Sequence, residues 1–577
     1  MSLKRKVLLG IAAAGLLAAQ VSAITNRVDI TNDSIPAGQI KSWVAANTYV
    51  LHGKVVVKAG SRLNIAAGTK ILAAASTGGP STPILIVARG GRIYATGTAS
   101  NPIIFTSIID TMANPLPVSN ASRGLWGGIN IYGRAPGNDP GGVADLSSDI
   151  TINGYPDDSI NWVTYGDSAN ATSADSATKN ANDTSGVLQY VSIRYTGMAD
   201  QSEIKGLMFL DVGRGTQVDH VEVFECNEDG INLTGGTVNL KYVISAFQAG
   251  DAVMFQGGYQ GKLQYVLDIQ DTIIGGSKNG CLSKWESDDF GNTPITKPIV
   301  YNFTGIGTGV NNPDTWKYKY GIYIKNNAAG TLANSIITQC HNYGLYVEDL
   351  CADNDTCAYH NSRARIEDGT LNIENNIFYG FGKGNIIDSI CEGLPFLQTY
   401  ITASAQKNDL SDPVLAGLSW ARNGVLDPRP TATGPATQNV ATVPNDGFFD
   451  LTTYRGAFAP TGPLWAAGWS VLSSTGIFSS ASVPVISSTG INGKTASNMN
   501  ITGKENLRQI SWNQEHAGNF SVTLYATNGK VLKKYGVADL SPGAHTYSIS
   551  IKDIPAGIYA IQVFVAGKVQ SGLICKE

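Results

Sequence analysis

Residues 218–269 read VDHVEVFECNEDGINLTGGTVNLKYVISAFQAGDAVMFQGGYQGKLQYVLDI, and the fold turns on them. Val221, Val243 and Val266 fall at the same place in three Val-rich segments, 22 and 23 residues apart. Asp229-Gly230-Ile231 is echoed by Asp251-Ala252-Val253. The step returns downstream, where Tyr320-Gly321-Ile322-Tyr323-Ile324 is followed 23 residues later by Tyr343-Gly344-Leu345-Tyr346-Val347. A fixed period of this length, built from β-formers, marks stacked coils in which each turn buries its apolar side against the next. The chain is therefore expected to be a solenoid, an architecture that says little about activity.

Short alternating runs extend the pattern upstream, as in Lys54-Val55-Val56-Val57, Leu63-Asn64-Ile65 and Ile84-Leu85-Ile86-Val87, with Ala59-Gly60, Ala67-Gly68 and Gly90-Gly91 at the corners. Alternation places one face of each strand inward. Without two-residue hairpin signals between neighbours, parallel coils are expected over an antiparallel sandwich. In residues 134–186 Gly, Asp, Ser, Asn and Ala dominate, residues 168–175 have no large apolar anchor, and the stretch reads as a surface excursion. Coils resume at Val187, and Asn375-Asn376-Ile377-Phe378 looks like the last rung. A solenoid end exposes strand edges. Aromatic residues Phe448, Phe449, Tyr454, Phe458, Trp465 and Trp469 suggest that a segment near 425–475 caps the C-terminal end. The expected organisation is a β-helix over 24–475, a polar linker over 476–505 and a small β-sandwich over 506–577, the last read from Phe520-Ser521-Val522-Thr523-Leu524-Tyr525, a turn at Asn528-Gly529, and two further strand runs.

Lys4, Arg5 and Lys6, an apolar run from Val7 to Ala19 and the small residues before Ala23 match a secretory signal peptide over 1–23. The apolar run is shorter than the roughly 20 residues needed to span a bilayer, so no integral membrane protein is expected. Removing those three cations takes the formal charge from -4 to -7. A mildly acidic surface lacks the basic patch that nucleic acid requires. Seven cysteines in an exported chain leave at least one outside any internal pair. Cys351 and Cys357 bracket a short polar loop that a disulfide could close.

Two resemblances are carried by specific residues. Asn528-Gly529-Lys530, Gly543 and Ile554-Pro555-Ala556-Gly557-Ile558-Tyr559 resemble the C-terminal sorting domain of type IX secretion. That resemblance implies recognition by the outer-membrane secretion machinery and release or display at the cell surface. Leu125-Trp126-Gly127-Gly128-Ile129, Val218-Asp219-His220-Val221, Gly235-Gly236-Thr237-Val238-Asn239, Asp427-Pro428-Arg429-Pro430 and Tyr454-Arg455-Gly456-Ala457-Phe458 resemble exported bacterial β-helix proteins that precede such sorting domains. This second resemblance implies a right-handed parallel β-helix of the pectin lyase-like kind, and no particular reaction.

Chemistry, if any, is expected at the acidic positions. Asp229 and Asp251 are one rung apart, about 4.8 Å along a parallel stack. Glu228, Glu286, Asp288 and Asp289 extend the set. Such carboxylates can bind Ca²⁺ through oxygen, act as acid and base on a glycosidic bond, or cap turns by accepting backbone N–H groups. Asp288, Asp289 and Glu286 are the catalytic candidates; Asp229, Asp251, Asp353 and Asp355 are the metal candidates, with Ca²⁺ the cation in view. Trp285, Trp316 and Tyr318, with Glu228, Asp229 and Asp251, are the binding candidates, because sugar rings stack on exposed aromatic faces. The Gly-His-Gly and Arg-x-Lys motifs of polygalacturonase-type hydrolases are absent. The expected function is therefore that of a secreted or cell-surface protein that binds or presents itself to extracellular material, chiefly glycan, as in adhesion, without a demonstrable reaction. Its rivals are a polysaccharide lyase or glycoside hydrolase and a structural envelope or surface-layer component.

Overall fold

The computed structural model describes residues 26–76, 82–110, 112, 122–138, 180–198, 204–272, 280–287, 291–311, 320–350, 361–421, 423–479, 499–502, 507–514, 518–525, 531–554, 557–565 and 568–576. The chain divides into two compact units, Met1–Val483 and Pro484–Glu577. In the first, 24 strands join a continuous sheet in parallel pairs, forming a right-handed parallel β-helix. Val221 pairs with Val243 and Val243 with Val266. Ile231 pairs with Val253, and Tyr320 with Tyr343. The repeat legible in the sequence is thus the physical rung. All three valines are fully buried, each lying on the one beneath it, so hydrophobic burial is renewed at every turn.

Each long strand bends at one residue in the left-handed region. Tyr190, His220, Tyr242 and Tyr265 hold φ of 50, 53, 55 and 60°. Side chains other than glycine strain the backbone there by on the order of 1–3 kcal/mol each. The same corner stacks their rings in one column, with centroids 4.2, 4.5 and 4.7 Å apart. Stacking offsets part of the strain, at about 0.5–1.5 kcal/mol per pair. Trp465 and Trp469 meet the column edge-on.

Those tryptophans belong to the segment expected to cap the C-terminal end, and the structure places it elsewhere. The end is closed by the helices Ile387–Ile390 and Pro395–Thr402, whose Ile390, Leu397 and Ile401 join the main core. Tyr400 Oη accepts from Ile373 N–H and donates to the Leu371 carbonyl. Asn408 Nδ2 donates to the Ile373 carbonyl. The last rung's edge is therefore satisfied by side chains, as an exposed edge requires. The chain then runs back along the flank. Asn439 meets Asn375, Ala441 meets Asn334, Asp450 meets Gln264, and Val471 N–H donates to the buried Glu222 carboxylate at 2.9 Å. Leu426, Phe458, Leu464, Trp469 and Phe478 cover Phe224, Ile244, Leu267, Ile269 and Ile306. The segment is a lateral strap because the outward residues of those strands are apolar and need a cover.

Asn180 N–H bonds the Arg134 carbonyl at 2.9 Å, closing the base of the excursion expected at 134–186; its residues 139–179 lie outside the described residues. Among the described residues no helix is long and apolar enough to cross a membrane. The second unit is a small β-sandwich. One antiparallel sheet holds Met499–Thr502, Leu507–Gln514 and Gly543–Ser550, and the other holds Val531–Leu540, Gly518–Tyr525, Gly557–Val565 and Lys568–Lys576. Ile510, Phe520, Val522, Leu524, Ile549 and Ile561 form its core. Its first strand, Met499–Thr502, begins inside the span expected to be linker.

Candidate functional site

One sheet of the β-helix stacks the strands Leu207–Leu210, Ile231–Thr234, Val253–Gln256, Ser283–Glu286, Tyr320–Lys325 and Tyr343–Val347. Successive residues of a strand alternate between lumen and surface. Ile231, Val253, Trp285 and Ile324 point into the core. The intervening positions form outward columns: Asn232 pairs with Met254, Met254 with Lys284 and Lys284 with Tyr323. Beside them Gln256 follows Thr234, and Lys325 follows Glu286.

A cleft of about 290 Å³ opens over these columns, lined by Lys205, Glu228, Asp229, Asn232, Asp251, Met254, Gln256, Lys284 and Glu286. Asp229 and Asp251 stand one rung apart on its wall. The Asp251 N–H donates to Asp229 Oδ1 at 2.8 Å, and the Cys281 N–H donates to Asp251 Oδ1 at 2.6 Å. Both acids therefore brace the turn above, as the turn-cap reading expects. They also face charge. Lys205 Nζ lies 3.1 Å from Asp229 Oδ2 and 3.9 Å from Glu228 Oε2. Glu286 is held between Lys284 at 3.1 Å and Lys325 at 2.7 Å.

Burial and the neighbouring Asp229 charge push the Asp251 carboxyl up to about 7, against the pull of Lys284 and the Cys281 N–H. Burial works against the Lys284 ammonium, but the charges of Asp251 and Glu286 outweigh it and raise its pKa. The arrangement thus offers a carboxyl able to give up a proton near neutrality beside one paired with an ammonium. Asn232 adds a donor. It is 1% exposed, its Oδ1 accepts from Thr234 Oγ1 at 2.6 Å, and its Nδ2 has no hydrogen-bond partner among the described residues.

Among the residues expected from sequence, the fold brings together Glu228, Asp229, Asp251 and Glu286. Trp285 is a correction. It is fully buried, its Nε1 donates to Ser283 Oγ at 2.9 Å, and its ring meets Phe255 at 5.8 Å in the lumen. Strand alternation forces this, since Lys284 and Glu286 on either side face outward. Asp288, Asp289, Trp316, Tyr318, Asp353, Asp355, Cys351 and Cys357 lie outside the described residues. Cys281, Cys340 and Cys391 are buried free thiols. Among the described residues no three His, Cys, Asp or Glu side chains are grouped to hold a metal ion. Lys205, Asn232, Gln256 and Lys284 were not expected. The signal for the last three was available: once Ile231, Val253 and Trp285 are assigned inward, their neighbours must face out.

The bacteriophage CBA120 tailspike protein 2 enzymatically active domain is 10% identical, with a TM-score of 0.21, over 91% of this chain and 72% of that one. Full-length tailspike protein 2 from an Escherichia coli O157:H7 bacteriophage is 11% identical, with a TM-score of 0.20, over 97% and 65%. No curated protein matches the chain. Residues 38–385, more than half of the chain, match the family described as the pectate-lyase like beta helix domain. With the coiled parallel sheet and its one-rung registers, that match makes the chain a member of the pectate-lyase like β-helix family.

Proposed function

We propose that this chain is an exported, surface-displayed protein whose cleft binds an extracellular glycan. The observation that carries the reading is Asn232, a buried amide with an unspent N–H donor at the wall of a solvent-reaching cleft. An unpaired buried donor costs about 1–3 kcal/mol, and a ligand oxygen would recover it. Around it carboxylates offer acceptors and ammoniums offer donors, the complement of a polyhydroxylated ligand. A few convergent polar groups in a concave site are what small-ligand recognition uses. Export is supported by the basic, apolar and small-residue order of residues 1–23 and by the C-terminal segment carrying Pro555-Ala556-Gly557-Ile558-Tyr559. The type IX secretion machinery is the partner this implies.

Sedimentation of the purified chain with insoluble plant, algal and bacterial polysaccharides tests the binding. Retention on at least one, weakened by Asn232→Ala without a matching loss of melting temperature, is the expected result. No retention on any of them overturns it. Adding a Ca²⁺ chelator is expected to change nothing, because Asp229 and Asp251 are already engaged by Lys205 and backbone N–H groups.

A second reading, cleavage of the bound polysaccharide, is favoured by Asp251. A carboxyl titrating near 7 beside a second carboxylate matches the acid and its partner in glycosidic hydrolysis. Asp251 would protonate the leaving glycosidic oxygen as its bond to the anomeric carbon breaks, and water would add to that carbon and pass its proton to the neighbouring Asp229 carboxylate. Release of new reducing ends, abolished by Asp251→Asn, is the outcome that would establish it.

A further inference from the structure

We propose that Tyr323, Tyr343 and Tyr346 form an aromatic subsite that continues the cleft along the solenoid axis and stacks a neutral pyranose unit of the bound glycan. The proposal rests on the glycan reading of the Asn232 cleft and adds to it a direction, a second contact and a ligand class.

Register gives the continuity. The column that starts at Asn232 passes through Met254 and Lys284 to Tyr323, and from Tyr323 to Tyr346. Each step is one rung, about 4.8 Å, so Tyr346 stands roughly 19 Å along the axis from Asn232. No change of sheet or corner intervenes. Lys325, in Tyr323's own strand, reaches back to Glu286 at 2.7 Å, so the cleft wall and the tyrosine surface share a residue.

The rings are held in place from below. Tyr320 is 7% exposed and its hydroxyl donates to the Glu392 carboxylate. Its ring lies 5.2 Å from Tyr323, 6.0 Å from Tyr343 and 4.8 Å from Tyr346. Around this buried hub the other three are only half-buried. Tyr323 and Tyr346 meet at 5.2 Å and 68°, so one ring supplies a floor and the other a wall. Fixed rings lose little entropy on binding, which is why such surfaces suit stacking.

Charge decides the ligand class. Lys284 and Lys325 are both committed to Glu286, and the Glu348 carboxylate accepts the Asn326 N–H at 2.7 Å. Among the described residues, the ammoniums next to the rings are therefore already held by a carboxylate, and none is set aside for a uronate. A neutral sugar, with its C–H face on a ring and hydroxyls at the rim, fits better than an acidic one.

Calorimetric titration with β-1,4- and β-1,3-glucan oligosaccharides from disaccharide to hexasaccharide, and with oligogalacturonides, tests the proposal. Affinity for the neutral series is expected to rise by about tenfold once the oligosaccharide is long enough to bridge cleft and rings, a size of effect typical of one aromatic contact. Tyr346→Leu, which keeps apolar bulk but removes the ring, and Tyr323→Leu should erase that gain and leave the short-chain affinity intact. Asn232→Ala should do the reverse. A length gain that survives both tyrosine substitutions, or one found for oligogalacturonides instead, overturns the subsite and leaves the cleft reading standing. No binding of any oligosaccharide by the unaltered chain overturns both. Melting curves of each variant separate loss of the ring from loss of the fold.

Discussion

The backbone N–H of Asp251 donates to Asp229 Oδ1 at 2.8 Å, one rung apart on the cleft wall. The two carboxyls are therefore locked by the solenoid's own repeat. Asp229 uses one oxygen to brace the turn and the other to hold Lys205. Asp251 repeats the first half of this, bracing Cys281, and among the described residues no lysine forms an ion pair with it. Equivalent positions in the repeat thus acquire different chemistry from the next residue up the stack. Burial and the neighbouring Asp229 charge make Asp251 hold its proton toward neutral pH.

Stability is expected to fall between about pH 4 and pH 7 through this residue. Its folded pKa, about 7, lies above the unfolded value of about 3.9. The folded state binds the extra proton in that window, so raising the pH costs stability. Asp251→Asn keeps an acceptor for the Cys281 N–H and removes the titration. The stability difference between the variant and the unaltered chain should therefore grow in the variant's favour as pH rises, by an amount on the order of a few kcal/mol. Parallel stability curves over this range would show that Asp251 is ionised throughout.

Val243→Asp should abolish soluble folding. Val243 is fully buried between Val221 and Val266, and an unpaired charge there costs several kcal/mol before any cavity or clash is counted. Soluble expression with an unchanged melting temperature would mean that the register is inverted.

The rungs were legible because burial leaves a period in the sequence: Val221, Val243 and Val266 repeat chemically as well as geometrically. The aromatic corner was not, because positions 190, 220, 242 and 265 share ring shape and a left-handed backbone but read as Tyr, His, Tyr and Tyr with no local turn signal. The strap was misplaced for a different reason. Phe458, Trp465 and Trp469 announce that they cover something, but which surface they cover is set by the outward apolar residues Ile244, Leu267 and Ile269, two hundred residues away. Of the six acids expected, Glu228, Asp229, Asp251 and Glu286 line the cleft and Asp288 and Asp289 lie outside the described residues, whereas Trp285 and Asn232 were misjudged or missed because their faces depend on strand phase.

Loosening the strap should destabilise the solenoid's flank. Glu222 is fully buried and accepts from Val471 N–H and Ser192 Oγ. Glu222→Ala leaves both donors unpaired, a loss of about 1–3 kcal/mol for each. A chain ending before residue 413 goes further and uncovers Phe224, Ile244, Leu267 and Ile269. It is expected to aggregate, as large exposed apolar patches do. Monomeric behaviour in size-exclusion chromatography would contradict the covering role.

Removing the C-terminal unit should trap the protein in the periplasm while the β-helix still folds, since each unit has its own core. The cut belongs at residue 484 and not 506. Met499–Thr502 pairs with Leu507–Gln514, and a later cut would leave that strand edge unpaired and sticky. Surface display of the truncated protein at normal levels, measured by protease accessibility on whole cells, would refute the sorting role.

Trp285 and Asn232 should exchange the effects that a reading by residue type alone would assign them. Trp285 fills the lumen and touches Phe255, so Trp285→Ala should lower stability by about 3–5 kcal/mol, the usual cost of emptying a buried aromatic site. At temperatures where that variant remains folded, its glycan retention should match the unaltered chain. Asn232→Ala gives up one hydrogen bond, from Thr234, worth about 1 kcal/mol, and with it the unpartnered amide of a residue that lines the cleft. Its melting temperature should move little and its retention should drop. A retention loss in folded Trp285→Ala with none in Asn232→Ala would mean that ligand recognition lies outside this cleft.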